Sequence, residues 1–132
     1  MPAEIQQFLE SYREAFNRLD GRAVSAHYDL PAMIVHAGGN GVFQDAAALD
    51  ANNVALCAHY AKDGFVRADF APRQFVAQGE CFCVADVAWT ITRDGKPPQQ
   101  FNTSYALARR SGAWKVACVT AYEEKRPGTD HG

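Results

Sequence analysis

The chain has 132 residues, of which 48% are hydrophobic and 21% are charged, and its formal net charge is −2. This length is typical of one domain, and this composition excludes an intrinsically disordered chain. With a sequence pI of about 6.0, the chain lacks the basic character of a nucleic-acid-binding protein. The predicted organisation is one globular domain over residues 1–124, followed by a flexible tail at residues 125–132.

The start of the chain and its cysteines favour a cytoplasmic protein. Residues 1–7 have neither the basic nor the apolar region of a secretory signal, and no apolar run approaches the ~18 residues of a membrane span. The four cysteines, Cys57, Cys81, Cys83 and Cys118, form no C-x-x-C pair. We interpret them as reduced thiols. Because nucleotide-binding and metalloprotease motifs are absent too, the sequence predicts neither a cofactor nor a metal site.

Apolar residues at helical spacing predict a long amphipathic helix near the start of the chain. It runs from about Ala3 to Leu19, through Ile5, Phe8, Leu9, Tyr12, Phe16 and Leu19. Two aspartates are suitable N-caps for further helices. Asp20 would cap a short helix over Arg22–His27, and Asp45 would cap a longer one over Ala46–Lys62.

The rest of the chain has the period of two that is typical of strands. The predicted strands are Met33–Ala37, Val42–Gln44, Val66–Gln78, Cys81–Arg93, Gln99–Arg110 and Ala113–Glu123. Pro72 lies within the third of these, which predicts an edge strand or a bulge. Helices near the start and a long meander of strands near the end indicate an α+β fold, in which the helices cover one face of the sheet.

Alternation along the last three strands assigns one set of side chains to the face beneath the helices. In the final strand this set consists of Trp114, Val116, Cys118, Thr120 and Tyr122. Large side chains mixed with hydroxyls predict a ligand cavity, because each buried hydroxyl needs a partner. The cavity residues would include Trp89, Thr103, Tyr105 and Tyr122. In the alternative, these hydroxyls bond to one another or to the backbone.

The opposite face of the sheet carries small side chains and is half apolar. Its predicted members include Val84, Ala88, Ala106, Ala117 and Val119. A monomer more often has a charged outer face, so this pattern predicts a homodimer through the convex face of the sheet.

The order of the elements and several short segments carry a family resemblance. Asp20–Val24 enters the second helix as D-G-R-A-V, and Ala26–Pro31, Phe101–Tyr105 and Ala113–Val116 are the other segments. Over Ile5–Tyr122 the chain resembles the nuclear transport factor two-like superfamily, and most of all the uncharacterised bacterial proteins of its SnoaL-like, ketosteroid-isomerase-like branch. The resemblance implies a cone-like fold with a curved, mostly antiparallel sheet and three helices on its concave face. This fold hosts enzymes and binding modules alike.

The resemblance to ketosteroid isomerases also implies site positions. An ungapped comparison places their oxyanion-donor tyrosine on Tyr12, their second-helix tyrosine on Tyr28 and their general-base aspartate on His36. Their protonated aspartate donor falls on Tyr105 if one turn is shifted by one residue. The chain therefore departs from these isomerases at the base and at the second donor.

The candidate catalytic residues are His36, Tyr12 and Tyr105. An imidazole titrates near neutral pH and suits a general base, and a buried phenol can donate to a developing oxyanion. The predicted ligand contacts are Phe16, Tyr28, Leu56, Tyr60, Trp89, Thr103 and Tyr122. In the alternative, His36 is a strand-end histidine bonded to a turn, and the two tyrosines are core aromatics.

Two functions stay open on this evidence. The first is a SnoaL-like enzyme that abstracts a proton from an apolar carbonyl compound, as an isomerase, dehydratase or cyclase does. The second is a non-catalytic, dimeric ligand-binding or accessory domain. Both predict a small apolar ligand, and neither involves nucleic acid or a membrane.

Overall fold

The computed structural model describes residues 1–125, which form three helices and six strands. The helices are α1 (Ala3–Asn17), α2 (Gly21–Ser25) and α3 (Ala46–Lys62). The strands are β1 (Tyr28–His36), β2 (Gly39–Phe43), β3 (Phe65–Gln78), β4 (Phe82–Arg93), β5 (Lys96–Arg110) and β6 (Ala113–Lys125). The predicted tail beyond Lys125 lies outside the described residues. Within them, no helix is both long enough and apolar enough to cross a membrane.

The six strands form one sheet in the order β2-β1-β6-β5-β4-β3. β1 runs parallel to β6, and every other neighbouring pair is antiparallel. The prediction of an α+β fold with a mostly antiparallel sheet is confirmed. β1 begins at Tyr28, earlier than predicted, and its pairing with β6 changes register between Tyr28 and Met33. Pro31 lies in this irregular stretch, where its missing N–H interrupts no regular ladder.

Local backbone geometry determines where the helices begin and end. Asp20 and Asp45 are the N-caps of α2 and α3, and each carboxylate accepts a hydrogen bond from the backbone N–H three residues later. α1 ends at Asn17, before the predicted end at Leu19. Leu19 has a φ of 51°, a left-handed conformation that a right-handed helix cannot contain.

The end of α1 is fixed to β3, which is an edge strand of the sheet. Asn17 Oδ1 accepts a hydrogen bond from the N–H of Ala68 at 2.7 Å. Asn17 Nδ2 donates to the carbonyl of the same residue at 3.3 Å. Further along β3, the pairing with β4 changes register between Pro72 and Gln74. The prediction made from Pro72 is therefore confirmed. β3 is an edge strand, and its pairing is irregular next to this proline.

The hydrophobic core lies between the helices and the concave face of the sheet. Ile5 and Leu9 of α1 and Leu49 of α3 are fully buried there, together with Leu107 of β5. The buried apolar residues of β4 are Cys83, Ala85, Val87, Trp89 and Ile91. The predicted alternation of that strand is thus confirmed.

β6 changes its alternation partway along its length. Leu107 of β5 pairs with Val116, but the residue before Leu107 pairs with Cys118, so Ala117 is an extra residue in β6. One extra residue exchanges the two faces of a strand. Beyond this point in β6, the prediction is wrong: Cys118, Thr120 and Tyr122 do not face the helices. The residues that line the concave side instead are Val119 and Ala121.

Candidate functional site

A cavity of about 480 Å³ lies between the helices and the concave face of the sheet. A cavity of this size can hold a small organic molecule. Its walls are mainly aliphatic and aromatic, and no Asp, Glu, Lys or Arg of the described residues lines it. A fully charged ligand would find no opposite charge there, so the cavity suits a mostly apolar compound.

A hydrogen-bonded group of aromatic side chains forms one wall of the cavity. The hydroxyl oxygens of Tyr12 and Tyr28 lie 2.8 Å apart, and Trp89 Nε1 donates to the hydroxyl of Tyr105 at 3.0 Å. The rings of Tyr12 and Tyr105 meet edge to face, with their centroids 5.4 Å apart. Tyr12 and Thr103 also act on the Tyr105 hydroxyl, since side-chain hydrogen bonding with Trp89, Tyr12 and Thr103 lowers the pKa of Tyr105 against the effect of burial. We call these five residues the phenol network.

Burial keeps the three phenols of this network protonated. It raises the pKa of Tyr28 to about 12. It also raises the pKa of Tyr12, which Tyr28 and Tyr105 raise further, and the pKa of Tyr105, which Tyr28 raises further. Ionised phenols so close together would repel each other. Near neutral pH, all three hydroxyls are therefore neutral hydrogen-bond donors.

The phenol network has more polar hydrogens than it has internal hydrogen bonds. Its five members each carry one polar hydrogen, whereas the hydrogen bonds that join them are those of Tyr12 with Tyr28 and of Trp89 with Tyr105. Trp89 can only donate, so its hydrogen is used on Tyr105. At least one hydroxyl hydrogen thus has no acceptor within the network.

His36 lies at the mouth of the cavity, since it both lines the cavity and is exposed to solvent. Its Nδ1 accepts a hydrogen bond from the backbone N–H of Gly38 at 3.0 Å. A backbone N–H can only donate, so the neutral ring carries its proton on Nε2. A Cβ at position 38 would lie 2.9 Å from His36 Cε1. Because residue 38 is a glycine, the imidazole ring can occupy this position. In it, Nδ1 is an acceptor and Nε2 is a donor.

The cavity brings together most of the side chains predicted from the sequence. The predicted catalytic residues Tyr12, His36 and Tyr105 all line it. So do the predicted ligand contacts Phe16, Tyr28, Leu56, Tyr60, Trp89 and Thr103. Both alternatives weighed for the hydroxyls hold in part, because the hydroxyls bond to one another and also border an open space.

The predicted cavity position of Tyr122 is wrong, because the extra residue in β6 turns its side chain to the convex face. There its hydroxyl donates to Asp86 Oδ2 and accepts from Arg73 at 3.1 Å. The hydrogen bond to Asp86 raises the pKa of Tyr122, with burial a smaller cause. We call Arg73, Asp86 and Tyr122 the convex cluster.

Two asparagines of α3 also line the cavity, and the sequence analysis did not include them in the site. Asn52 Nδ2 donates to Asn53 Oδ1 at 3.2 Å. Buried Asn53 donates in turn to the hydroxyl of Ser25 at 2.9 Å. Asparagine is a poor former of helix interiors, so two in succession within a long helix are a signal that points to a side-chain role.

The charged residues Arg67 and Asp69 of β3 do not line the cavity. Arg67 and Asp69 of β3 form an exposed ion pair with each other at 2.9 Å. Among the described residues, no three His, Cys, Asp or Glu side chains converge as a metal site would require. The candidate chemistry is therefore that of neutral donors around an apolar space.

Comparison with known protein families identifies one match. The family described as NTF2-like protein (DUF6841) matches residues 3–124. No curated protein sequence matches the chain.

Solved structures with a similar fold include proteins described in different functional terms. An NTF-2 like protein of unknown function from Shewanella oneidensis superposes with a TM-score of 0.75 at 15% identity, covering 91% of this chain and 97% of its own. A ketosteroid isomerase-like protein from Erwinia carotovora has a TM-score of 0.67 at 18% identity, over 92% and 95% of the two chains. A putative calcium/calmodulin dependent protein kinase II association domain from Xanthomonas campestris has a TM-score of 0.72 at 13% identity, over 96% and 88%. At these identities the similarity establishes the fold alone.

Proposed function

This chain belongs to the NTF2-like protein family DUF6841, and from that premise we propose that it binds a small, mostly apolar carbonyl compound in its cavity. The spare hydroxyl hydrogen of the phenol network carries the proposal. A buried donor without an acceptor is unfavourable, so a ligand oxygen that accepts this hydrogen gains more than it would in water. A carbonyl oxygen accepts without needing a partner for a hydrogen of its own.

The apolar walls support the rest of this ligand description. Phe16, Leu56 and Phe101 line the cavity from α1, α3 and β5. They offer an aliphatic or aromatic ligand body a surface from which water is excluded. The phenols stay protonated to alkaline pH, so they suit a neutral carbonyl better than an ammonium group.

Binding of a matched series of biphenyls tests this proposal. We expect para-acetyl-para′-ethylbiphenyl to bind about tenfold more tightly than para,para′-diethylbiphenyl, because only the first offers an acceptor to the phenol network. Isothermal titration calorimetry measures both affinities. The triple variant Tyr12→Phe, Tyr28→Phe, Tyr105→Phe, which removes the phenol hydroxyls of the network, should lose most of this preference, and Tyr122→Phe, which alters a phenol outside the cavity, should keep it. Equal affinities of the unsubstituted protein for the two compounds would refute carbonyl recognition.

A second candidate function is enzymatic, and the position of His36 at the mouth of the same cavity favours it. In this function His36 takes a proton from the carbon next to the carbonyl. The electron pair left behind moves onto the carbonyl oxygen, and the phenol network stabilises the resulting enolate. Return of the proton to the same or another carbon completes an exchange or an isomerisation. His36 Nδ1 would first have to release the Gly38 N–H, since Nε2 already carries a proton.

Hydrogen exchange separates the two candidates. In deuterium oxide, an enolising enzyme would exchange the acetyl hydrogens of the bound ketone, and nuclear magnetic resonance would record the rate. Replacement of His36 by Ala should then lower the catalysed rate by about 100- to 10,000-fold. Binding of the ketone without any protein-dependent exchange would leave the binding function alone.

We also propose that two copies of the chain associate through the convex face, in a reducing compartment such as the cytoplasm. The convex residues Ala88 and Ala106 are small, and buried Asp86 Oδ1 has no hydrogen-bond partner among the described residues. A partner surface could supply one. The free state of all four cysteines is consistent with the compartment. In sedimentation at micromolar concentration, Ala106→Glu should yield a monomer and the α3 control Ala51→Glu a dimer. A monomer without any substitution would refute the interface.

A further inference from the structure

We infer that Ser11 and His27 form a second reactive site outside the cavity, in which His27 activates the Ser11 hydroxyl to take up an acyl group from an activated ester. Ser11 belongs to α1, and His27 lies between the end of α2 and the start of β1. Neither residue lines the cavity. The inference is therefore independent of the carbonyl ligand proposed above.

The first step is the direction of the two hydrogen bonds at His27. Its Nδ1 lies 2.8 Å from the carbonyl oxygen of Ala23, and its Nε2 lies 2.8 Å from Ser11 Oγ. A carbonyl oxygen can only accept, so Nδ1 carries the proton of the neutral ring. Nε2 therefore has a lone pair and accepts the hydrogen of the Ser11 hydroxyl. A hydroxyl, a base and a third group that orients the base together form the arrangement of an activated nucleophile.

The second step is that the imidazole of His27 is held in place and is neutral. Its ring meets the rings of Phe8 and Tyr12 edge to face, with centroids 5.5 Å and 5.6 Å away. Burial lowers the pKa of His27 against the opposing effect of its hydrogen bonds to backbone carbonyls, and the charges of Lys115 and Arg18 lower it further. Near neutral pH, the ring is therefore a free base that can take a proton from the serine.

The third step is access to the serine hydroxyl. Ser11 is exposed on α1, whereas His27 is half-buried. An ester in solution can thus reach Ser11 Oγ, and the base next to it is shielded from much of the solvent. Ser111 offers a comparison, because it is also exposed, in the turn between β5 and β6. Within residues 1–125, no histidine is hydrogen-bonded to Ser111.

The proposed reaction is the transfer of an acyl group to Ser11. Ser11 Oγ forms a bond to the acyl carbon of the ester while the hydroxyl proton moves to His27 Nε2. The bond between the acyl carbon and the leaving oxygen breaks, and the leaving group takes the electron pair. The imidazolium then gives its proton to the solvent, and the product is an ester of Ser11.

Acetylation of the full chain by para-nitrophenyl acetate tests this inference. We expect Ser11 to be acetylated about 100-fold faster than Ser111, because only Ser11 has a positioned base. Mass spectrometry of tryptic peptides measures both rates, and fragmentation of the peptide of residues 1–13 separates Ser11 from its neighbours. His27→Gln should slow the reaction of Ser11 by about the same factor, and His59→Gln, which alters an exposed histidine of α3, should not. The rate at Ser11 should fall with pH only below about 6.5, where the imidazole becomes protonated.

Two outcomes would overturn the inference. The first is an equal rate of acetylation at Ser11 and Ser111, and the second is a folded His27→Gln variant in which the rate at Ser11 is unchanged. Circular dichroism establishes whether each variant is folded. If His27→Gln is not, the comparison of Ser11 with Ser111 in the unsubstituted chain decides, since it needs no substitution. In either case the hydrogen bond would only join α1 to the end of α2.

Discussion

The two faces of the sheet each hold tyrosine hydroxyls in a polar group, but they differ in how completely those hydroxyls are bonded. On the convex face, Tyr122 donates to Asp86 and accepts from Arg73, so its hydroxyl is fully used. On the concave face, the phenol network keeps at least one hydrogen without an internal acceptor. The convex cluster contains the ion pair of Arg73 with Asp86, whereas the phenol network contains no formal charge.

This difference shows that a raised tyrosine pKa is not by itself a sign of a binding site. The pKa of Tyr122 is raised first by its hydrogen bond to Asp86, whereas burial is the largest cause for Tyr12, Tyr28 and Tyr105. The convex hydroxyl already has its acceptor. The concave hydroxyls border an open space, so only they have a hydrogen to offer to a ligand.

The largest expected effect of a single substitution is at Trp89, in the concave network. Trp89→Ala removes a buried indole and the donor to Tyr105, and we expect it to lower the free energy of unfolding by about 3–5 kcal/mol. Urea denaturation measures the loss. The convex control Thr120→Ala should cost less than about 0.5 kcal/mol. A loss at Trp89 below about 1 kcal/mol would contradict the assignment of that side chain to the core.

Alkaline pH should destabilise the protein through the concave tyrosines. Their pKa values are higher in the folded than in the unfolded chain, so their contribution is complete below pH ~10 and is lost as the pH rises further. For Tyr28 the loss spans pH ~10 to about 12 and amounts to roughly 2 kcal/mol. Urea denaturation across this range measures it. Tyr28→Phe should flatten the decline more than Tyr122→Phe, because burial is the largest cause of the raised pKa for Tyr28 but not for Tyr122, and the reverse order would contradict the comparison.

A smaller effect is expected from the convex cluster itself. Tyr122→Phe leaves Asp86 Oδ2 without its donor, and we expect a loss of about 1 kcal/mol in the free energy of unfolding. Affinity for para-acetyl-para′-ethylbiphenyl should not change, because the hydroxyl does not reach the cavity. A weakened affinity in this variant would mean that the two faces are coupled.

The sequence was sufficient to predict those parts of the molecule that depend on local pattern. The alternation in β4 and the bounds of α3 follow from residue order and one capping aspartate. The reversal in β6 does not, because an extra residue such as Ala117 is defined only by what β5 pairs with it. The sequence could not predict which ring nitrogen of His36 carries the proton, because this depends on the direction of the Gly38 N–H in the folded turn.

The contact between Asn17 and Ala68 has a consequence for how this molecule avoids its own aggregation. An edge strand exposes unpaired backbone groups to which a strand of another chain can add. The Asn17 carboxamide occupies both groups of Ala68 in the way a seventh strand would, and Pro72 has no N–H to offer farther along the same edge. One side chain at the end of α1 therefore anchors the helix and also blocks this part of the edge strand from pairing with a strand of another molecule.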